Sequence, residues 1–298
     1  MRILIVSHDA GGAEVVSAWV KKNHNHEFAY CLKGPAQSIF SRKLAGMKIV
    51  DYNDLVLEVF DLVLTGTSWS SDLERLIIKQ ARIKGVKSVA YLDHWVNYRE
   101  RFGYPSQNWL ENLPDEIWCG DKYAMEVCRN CGFPGQKLRL VENEYFCQII
   151  EEAEAYKNDV IPKSILYICE PIGEHMKKDH GDEFYLGYNE FSALKSFFET
   201  LLKSDMSSYL ITVRLHPSEK DGKYDFIVNR FKNDLQIDIS HDNHLYEDIQ
   251  RAEIVVGCES MALVIAVKLN KKVFSVIPPN GLPCRLPHDE IQSFYQQL

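Results

Sequence analysis

Residues 1–22 read MRILIVSHDAGGAEVVSAWVKK. The unbroken aliphatic run at 2–6 predicts a strand covered on both faces. The small polar residues after it predict a tight turn, and the apolar spacing over 13–22 predicts an amphipathic helix. A strand buried on both faces needs parallel neighbours, and the rest of the chain offers them.

Further strands are expected at 27–31, 48–51, 61–65, 88–92, 116–119 and 137–141, with helices at 71–84 and 122–131. Residues 151–163, EEAEAYKNDVIPK, break the alternation with a run of acids and a late proline. They read as a helix tip followed by an interdomain linker. The pattern then restarts, with strands at 164–169, 209–214, 236–239, 253–256 and 272–276. Helices are expected at 188–203, 223–232, 245–251 and 260–269. The polar stretch 176–185 reads as a surface loop able to fold over a ligand, and 288–298 as a terminal helix. The fold class is therefore α/β: two Rossmann-like, doubly wound parallel-sheet domains, at 1–150 and 164–287. Facing each other, they would bring their ligand loops to one central cleft.

Of 298 residues, 46% are hydrophobic and 26% charged, enough for substantial cores. A formal net charge of -8 opposes a nucleic-acid-coating role. No run reaches the roughly 18–20 apolar residues of a membrane span, and the first apolar run is too short for a signal-peptide core. The expectation is a cytoplasmic protein without a transmembrane segment, touching a membrane only at the periphery, through a membrane-bound assembly complex. The eight cysteines are scattered through apolar segments, as buried free thiols are. Cys128 and Cys131 form a single CxxC at a helix end, without the second ligand pair that zinc requires, and read as structural.

Chemistry is expected in the loops after the strands. In the first, Gly11 and Gly12 allow close backbone approach, the helix start offers N–H groups to an anion, and His8 and Asp9 are candidate bases. In the second, Thr67 and Ser68 can hydrogen-bond a sugar, Ser70 or Ser71 can cap the next helix, and Trp69 either stacks on a sugar or joins the core. The third, LDHWVNYRERF at 92–102, concentrates acid, imidazole, aromatic and guanidinium groups. Asp93 and His94 are candidate bases there, with Arg99 on the acceptor side; a buried Asp–Arg pair fastening the loop is the other reading. In the second half, Gly173 and Glu174 follow the first strand, where a nucleotide-binding domain receives its base or phosphates. One of Arg214 and His216 is expected to reach the ligand while the other anchors, with His216 preferred for the phosphate. Glu259 suits a ribose diol. Ser260 either simply caps its helix or also directs that helix's N–H groups at a phosphate.

The order of these pieces resembles the GT-B glycosyltransferase superfamily. Residues 122–145, KYAMEVCRNCGFPGQKLRLVENEY, are similar to its closing N-domain unit, and 259–278 to the unit that holds the donor nucleotide. In that fold a terminal helix, here 288–298, crosses back to the first domain. His216-Pro217 and Glu259-Ser260 are similar to the His–Pro and serine motifs of bacterial sialic acid and Kdo transferases, which use CMP-sugars. The resemblance implies that His216 and Ser260 contact the CMP phosphate. The acidic catalytic motif of those enzymes has no aligned counterpart, so Asp9 and Asp93 are candidates by position. The expected activity is transfer from a nucleotide-activated sugar, CMP-sugar favoured, to a glycan acceptor in surface polysaccharide or glycoconjugate biosynthesis. No cofactor or metal is expected. UDP-sugar hydrolases, UDP-N-acetylglucosamine 2-epimerases and a non-catalytic nucleotide-sugar-binding subunit are the alternatives.

Overall fold

The structure, a computed structural model, describes residues 1–240 and 243–296. The chain divides into two compact units, Met1–Gln148 and Ile149–Leu298, each built on a six-stranded parallel sheet.

In the first unit β1 (Arg2–Ser7), α1 (Ala10–Lys22), β2 (Glu27–Leu32), α2 (Pro35–Lys43), β3 (Leu62–Thr65) and α3 (Leu73–Lys84) come first. They are followed by β4 (Lys87–Leu92), β5 (Glu116–Cys119), α4 (Lys122–Asn130) and β6 (Leu138–Leu140). The strand order is β2-β1-β3-β4-β5-β6, so the winding reverses between β1 and β3. The aliphatic run of β1 is buried because each face has its own core. Ile3 and Ile5 pack with Val16, Val20 and Phe40 from α1 and α2, while Leu4 and Val6 pack with Leu73, Ile77 and Ala81 of α3. The strand expected at 48–51 shrinks to one bridge, between Tyr30 and Ile49. The Asp51 carboxylate accepts the Asn53 N–H and turns the chain into a 3-10 turn, ending the pairing.

Helix α5 (Glu144–Ala153) contains the division. The second unit then runs β7 (Ser164–Ile168), α6 (Ile172–His180), α7 (Glu190–Leu201), β8 (Leu210–Arg214), α8 (Asp225–Phe231) and β9 (Gln236–Ser240). It closes with α9 (Leu245–Arg251), β10 (Ile254–Gly257), α10 (Met261–Lys268), β11 (Lys272–Ser275) and β12 (Ile291–Ser293). The order β12-β11-β10-β7-β8-β9 reverses between β7 and β10. Helix α7 starts at a capping box made by Asn189 and Ser192 and buries Leu194, Phe197, Phe198 and Leu201. Each such side chain contributes about 1.5–3 kcal/mol on burial.

Two expectations are corrected here. The stretch 176–185 is not a loop throughout, because α6 runs to His180 and ends at Gly181 with φ +77°. Ile172 anchors its first turn in the core, and Lys177, Lys178 and His180 face the carbonyl-rich last turn. The terminal segment, expected as a helix over 288–298, forms no α-helix in its described part, 288–296, and 297–298 lie outside the described residues. Residues 291–293 form β12 in parallel register with β11, and Phe294–Gln296 make a 3-10 turn. The open edge of β11 gives the backbone its partners, and Phe294, buried against Phe197 and Phe274, pins the strand in place.

Candidate functional site

The loops after β1 and β3 meet at the reversal of the first sheet. The His8 Nδ1 lies 2.7 Å from Asp9 Oδ1, and Asp9 also accepts the Ser70 hydroxyl at 2.6 Å and the Trp69 N–H at 2.9 Å. Although partial burial works against it, these donors hold the Asp9 carboxyl down at about 2. Asp9 is therefore an orienting carboxylate with little appetite for a proton. Because it accepts from Nδ1–H, the Nε2 of neutral His8 keeps the lone pair. That nitrogen sits over Gly34, where φ is +53° and an added Cβ would lie 2.7 Å from it. Trp69 is 48% exposed, which settles its placement outside the core. The Ser71 hydroxyl accepts the Leu73 N–H, and Ser68 accepts the Ser71 N–H, so both shape the entry to α3.

The third loop is fastened. Arg101, rather than Arg99, pairs with Asp93 at 2.5 Å, and the Thr67 hydroxyl bridges them at 2.8 and 3.1 Å. Asp93 is buried, and the Arg101 side chain is only 10% exposed. The Asp93 carboxylate also lies against Gly11, whose missing side chain makes the room, while Gly12 lets the backbone of Gly66 and Thr67 approach α1. The anion-receiving start of α1 thus already has Asp93 beside it. His94 Nδ1 accepts the Trp95 N–H at 2.9 Å, and Arg99 stacks over Tyr104 at 4.2 Å.

In the second unit the ends of β8, β7 and β10 lie side by side, and their loops carry the remaining candidates. Arg214 is an anchor: it pairs with buried Asp248 at 2.6 Å and donates to the Asn243 carbonyl. His216, beyond the strand, differs. The Ser218 N–H donates to its Nδ1 at 3.2 Å and the Ser218 hydroxyl lies 2.8 Å away, so Nε2 carries the proton and can donate. Burial lowers the pKa of His216, keeping it in that neutral donor form near pH 7. Its backbone N–H is held by Glu219, which also accepts from Tyr224 and Lys223. Gly173 gives its N–H to Glu190, and Glu174 pairs with Lys223, so both are engaged within the unit. Ser260 caps α10 by accepting the Ala262 N–H at 3.1 Å, which leaves its hydroxyl proton free to donate. Glu259 forms a two-pronged pair with Arg285.

Several participants escaped the reading of the sequence. Glu74 accepts the His8 N–H at 2.8 Å, while its other oxygen is buried without a partner, and burial pushes its carboxyl up to about 7. The signal was its register: Glu74 shares the apolar stripe of Leu73, Ile77, Ile78 and Ala81 on α3. Glu170 accepts the N–H groups of Cys258 and Glu259, both at 3.0 Å, and burial pushes it up to about 7 as well. Lys223, set among Glu174, Glu190 and Glu219, and Arg285 had no such local signal. Among the described residues no group of three or more His, Cys, Asp or Glu side chains could hold a metal ion, and no helix is long and apolar enough to cross a membrane.

No protein-family model and no curated protein matches the sequence. Solved structures do match the fold. The UDP-GlcNAc 2-epimerase of Neisseria meningitidis, bound to UDP-GlcNAc, superposes with a TM-score of 0.61 at 12% identity, over 92% of this chain and 82% of that one. The HepE protein of Anabaena in complex with UDP gives 0.57 at 10%, over 92% and 80%. MurG of Acinetobacter baumannii gives 0.55 at 9%, over 94% and 80%. At these identities the likeness speaks for architecture: two Rossmann-like parallel-sheet units in the order of the GT-B fold.

Proposed function

We propose that this protein is a glycosyltransferase that binds a nucleotide-activated sugar, a CMP-sugar by preference, on its second unit. One observation carries the reading. Where the second sheet reverses, Ser260 caps α10 with a donor to spare, and His216 offers an Nε2–H from the end of β8, on the other side of β7. A capped helix start and a neutral imidazole donor suit a phosphate that leaves with added negative charge. Arg285, held by Glu259, is the nearby cation, and Glu259 is the acceptor for a ribose diol. The single-phosphate preference rests on the His216-Pro217 and Glu259-Ser260 motifs and on the carboxylates at this turn, which disfavour a more highly charged donor.

On the acceptor side, His8 takes the proton from the attacking hydroxyl through Nε2, with Asp9 fixing its tautomer and steadying the imidazolium that forms. Base assistance of this kind contributes about 10²–10⁴-fold. Exposed Trp69, whose N–H is tied to Asp9, supplies an aromatic face for a sugar ring. Turnover without a divalent metal is part of the proposal; loss of activity in EDTA would contradict it. A UDP-sugar hydrolase or 2-epimerase is the second reading, favoured by the likeness of fold to the Neisseria epimerase.

The test is calorimetry against CMP, CDP, UDP, GDP and their sugars, followed by turnover with the donor that binds. His216→Ala is expected to weaken nucleotide binding and to slow turnover by orders of magnitude. Unchanged affinity in this variant would refute the assignment. Nucleotide released at full rate without any acceptor would replace transfer by hydrolysis.

A further inference from the structure

The turn between β10 and α10 is already holding an anion of the chain's own. Glu170, just past β7, sends one carboxylate oxygen to the backbone N–H groups of both Cys258 and Glu259 at 3.0 Å. These are the amides that, together with Ser260 and the start of α10, would otherwise be available to a ligand phosphate. The two strand ends pack closely: a Cβ on Gly257 would lie 3.2 Å from the Ile168 carbonyl oxygen.

We propose that Glu170 is a specificity-determining residue, an internal occupant of this anion-binding turn that sets how much phosphate charge the second unit accepts. A ligand with one phosphate is received by His216 and Ser260 beside the Glu170 carboxylate. A ligand with two must either share the turn with that carboxylate or displace it. The inference rests on the nucleotide-binding reading of this unit.

The surroundings sharpen the conflict. Glu259 faces Glu170 from the β10–α10 turn, and Cys258 lies beside it. Cys284 approaches from the segment after β11, Tyr188 from the residues before α7, and Cys169 from the end of β7. Glu219 and Lys223, paired with each other, act on Cys169 from the β8 side. The cation of this group nearest the turn is Arg285, and Glu259 engages it. A second phosphate charge would therefore enter a field of two carboxylates beside a guanidinium, Arg285, that is already matched. Burial raises the carboxyl of Glu170 to about 7, so the residue changes charge in the neutral range, and with it the welcome given to phosphate.

Calorimetry with ligands of fixed charge tests this: cytidine, the methyl ester of CMP and the methyl ester of CDP, with the uridine counterparts, on the wild type and Glu170→Gln. The glutamine keeps an acceptor for both amides and removes the charge. At pH 8 the variant is expected to bind the diphosphate ester about tenfold more tightly than the wild type does, the monophosphate ester less improved and the nucleoside unchanged. In the wild type the diphosphate ester should bind more tightly at pH 6 than at pH 8, and in the variant that gain should be smaller. His216 titrates lower and is present in both proteins, so it cannot produce the difference. Identical charge profiles in the two proteins would overturn the proposal. Should the variant fail to fold, a wild-type affinity for the diphosphate ester that is flat between pH 6 and 8 would overturn it equally. If no nucleotide binds either protein at either pH, the nucleotide-binding reading itself falls, which is a different failure.

Discussion

Replacing Gly11 with alanine should destabilise the first unit through a residue far along the chain. A Cβ at this position overlaps the Asp93 carboxylate oxygen and comes within 3.0 Å of its Cγ. The backbone of α1 is held by the first sheet, so Asp93 must move. Its carboxylate then leaves Arg101, a side chain only 10% exposed, without its ion-pair partner. Breaking a buried pair costs about 3–5 kcal/mol. Alanine returns about 1 kcal/mol of helix propensity relative to glycine, so a net loss of about 2–4 kcal/mol is expected. The assay is convenient because all five tryptophans, at 19, 69, 95, 109 and 118, lie in the first unit. Urea unfolding followed by tryptophan fluorescence therefore reports on this unit. Asp93→Ala alone should also cost about 3–5 kcal/mol, since it too strands Arg101. In that background Gly11→Ala should stabilise the unit by about 1 kcal/mol, the helix-propensity gain alone, because no carboxylate remains for the methyl group to displace. Additivity of the two losses within about 0.5 kcal/mol would show that the glycine does not exist for Asp93.

Two further substitutions separate anchors from ligand groups. Glu74 has its folded-state pKa raised from an ordinary 4.5 to about 7, so its contribution to stability is fully present below pH 4.5 and is lost as pH rises through 7. The gap corresponds to about 3 kcal/mol, and Glu74→Gln should flatten the fluorescence-detected stability of the first unit between those limits; an unchanged slope would place the titration elsewhere. Arg214→Met should leave buried Asp248 uncompensated and lower the stability of the second unit by about 3–5 kcal/mol in circular dichroism melts, with nucleotide affinity of the folded protein preserved. A loss of affinity without a loss of stability would instead make Arg214 a phosphate ligand.

The parts that were legible in the sequence are those in which local pattern and tertiary environment agree. Strand β1 is covered on both faces and therefore reads as an unbroken aliphatic run, and α9 falls on 245–251 as its spacing predicts. Strand β12 was illegible because Ile291–Ser293 carries no pattern of its own; its pairing depends on the open edge of β11 and on burial of Phe294. The loops that bear chemistry were recognisable from their position after strands. Their pairings were not. Arg99 and Arg101 look alike in sequence, and only the fold selects Arg101 for Asp93. Arg285 meets Glu259 across 26 positions, a distance at which no local spacing rule operates.

The carboxylates distinguish the two units more sharply than their shared architecture suggests. In the first, Asp93 lies against the opening turn of α1, and Asp9 is spent on His8, Ser70 and Trp69. A phosphate there would meet two fixed negative charges and a cation, Arg101, already matched. In the second, Glu170 holds only the amides leading into α10, while Ser260 and His216 keep donors to give. The proposed function accordingly puts anion chemistry on the second unit and proton abstraction on the first. The same electrostatic reasoning makes each assignment: a site whose donors are consumed by carboxylates can orient a base, and one with donors left over can receive a leaving group.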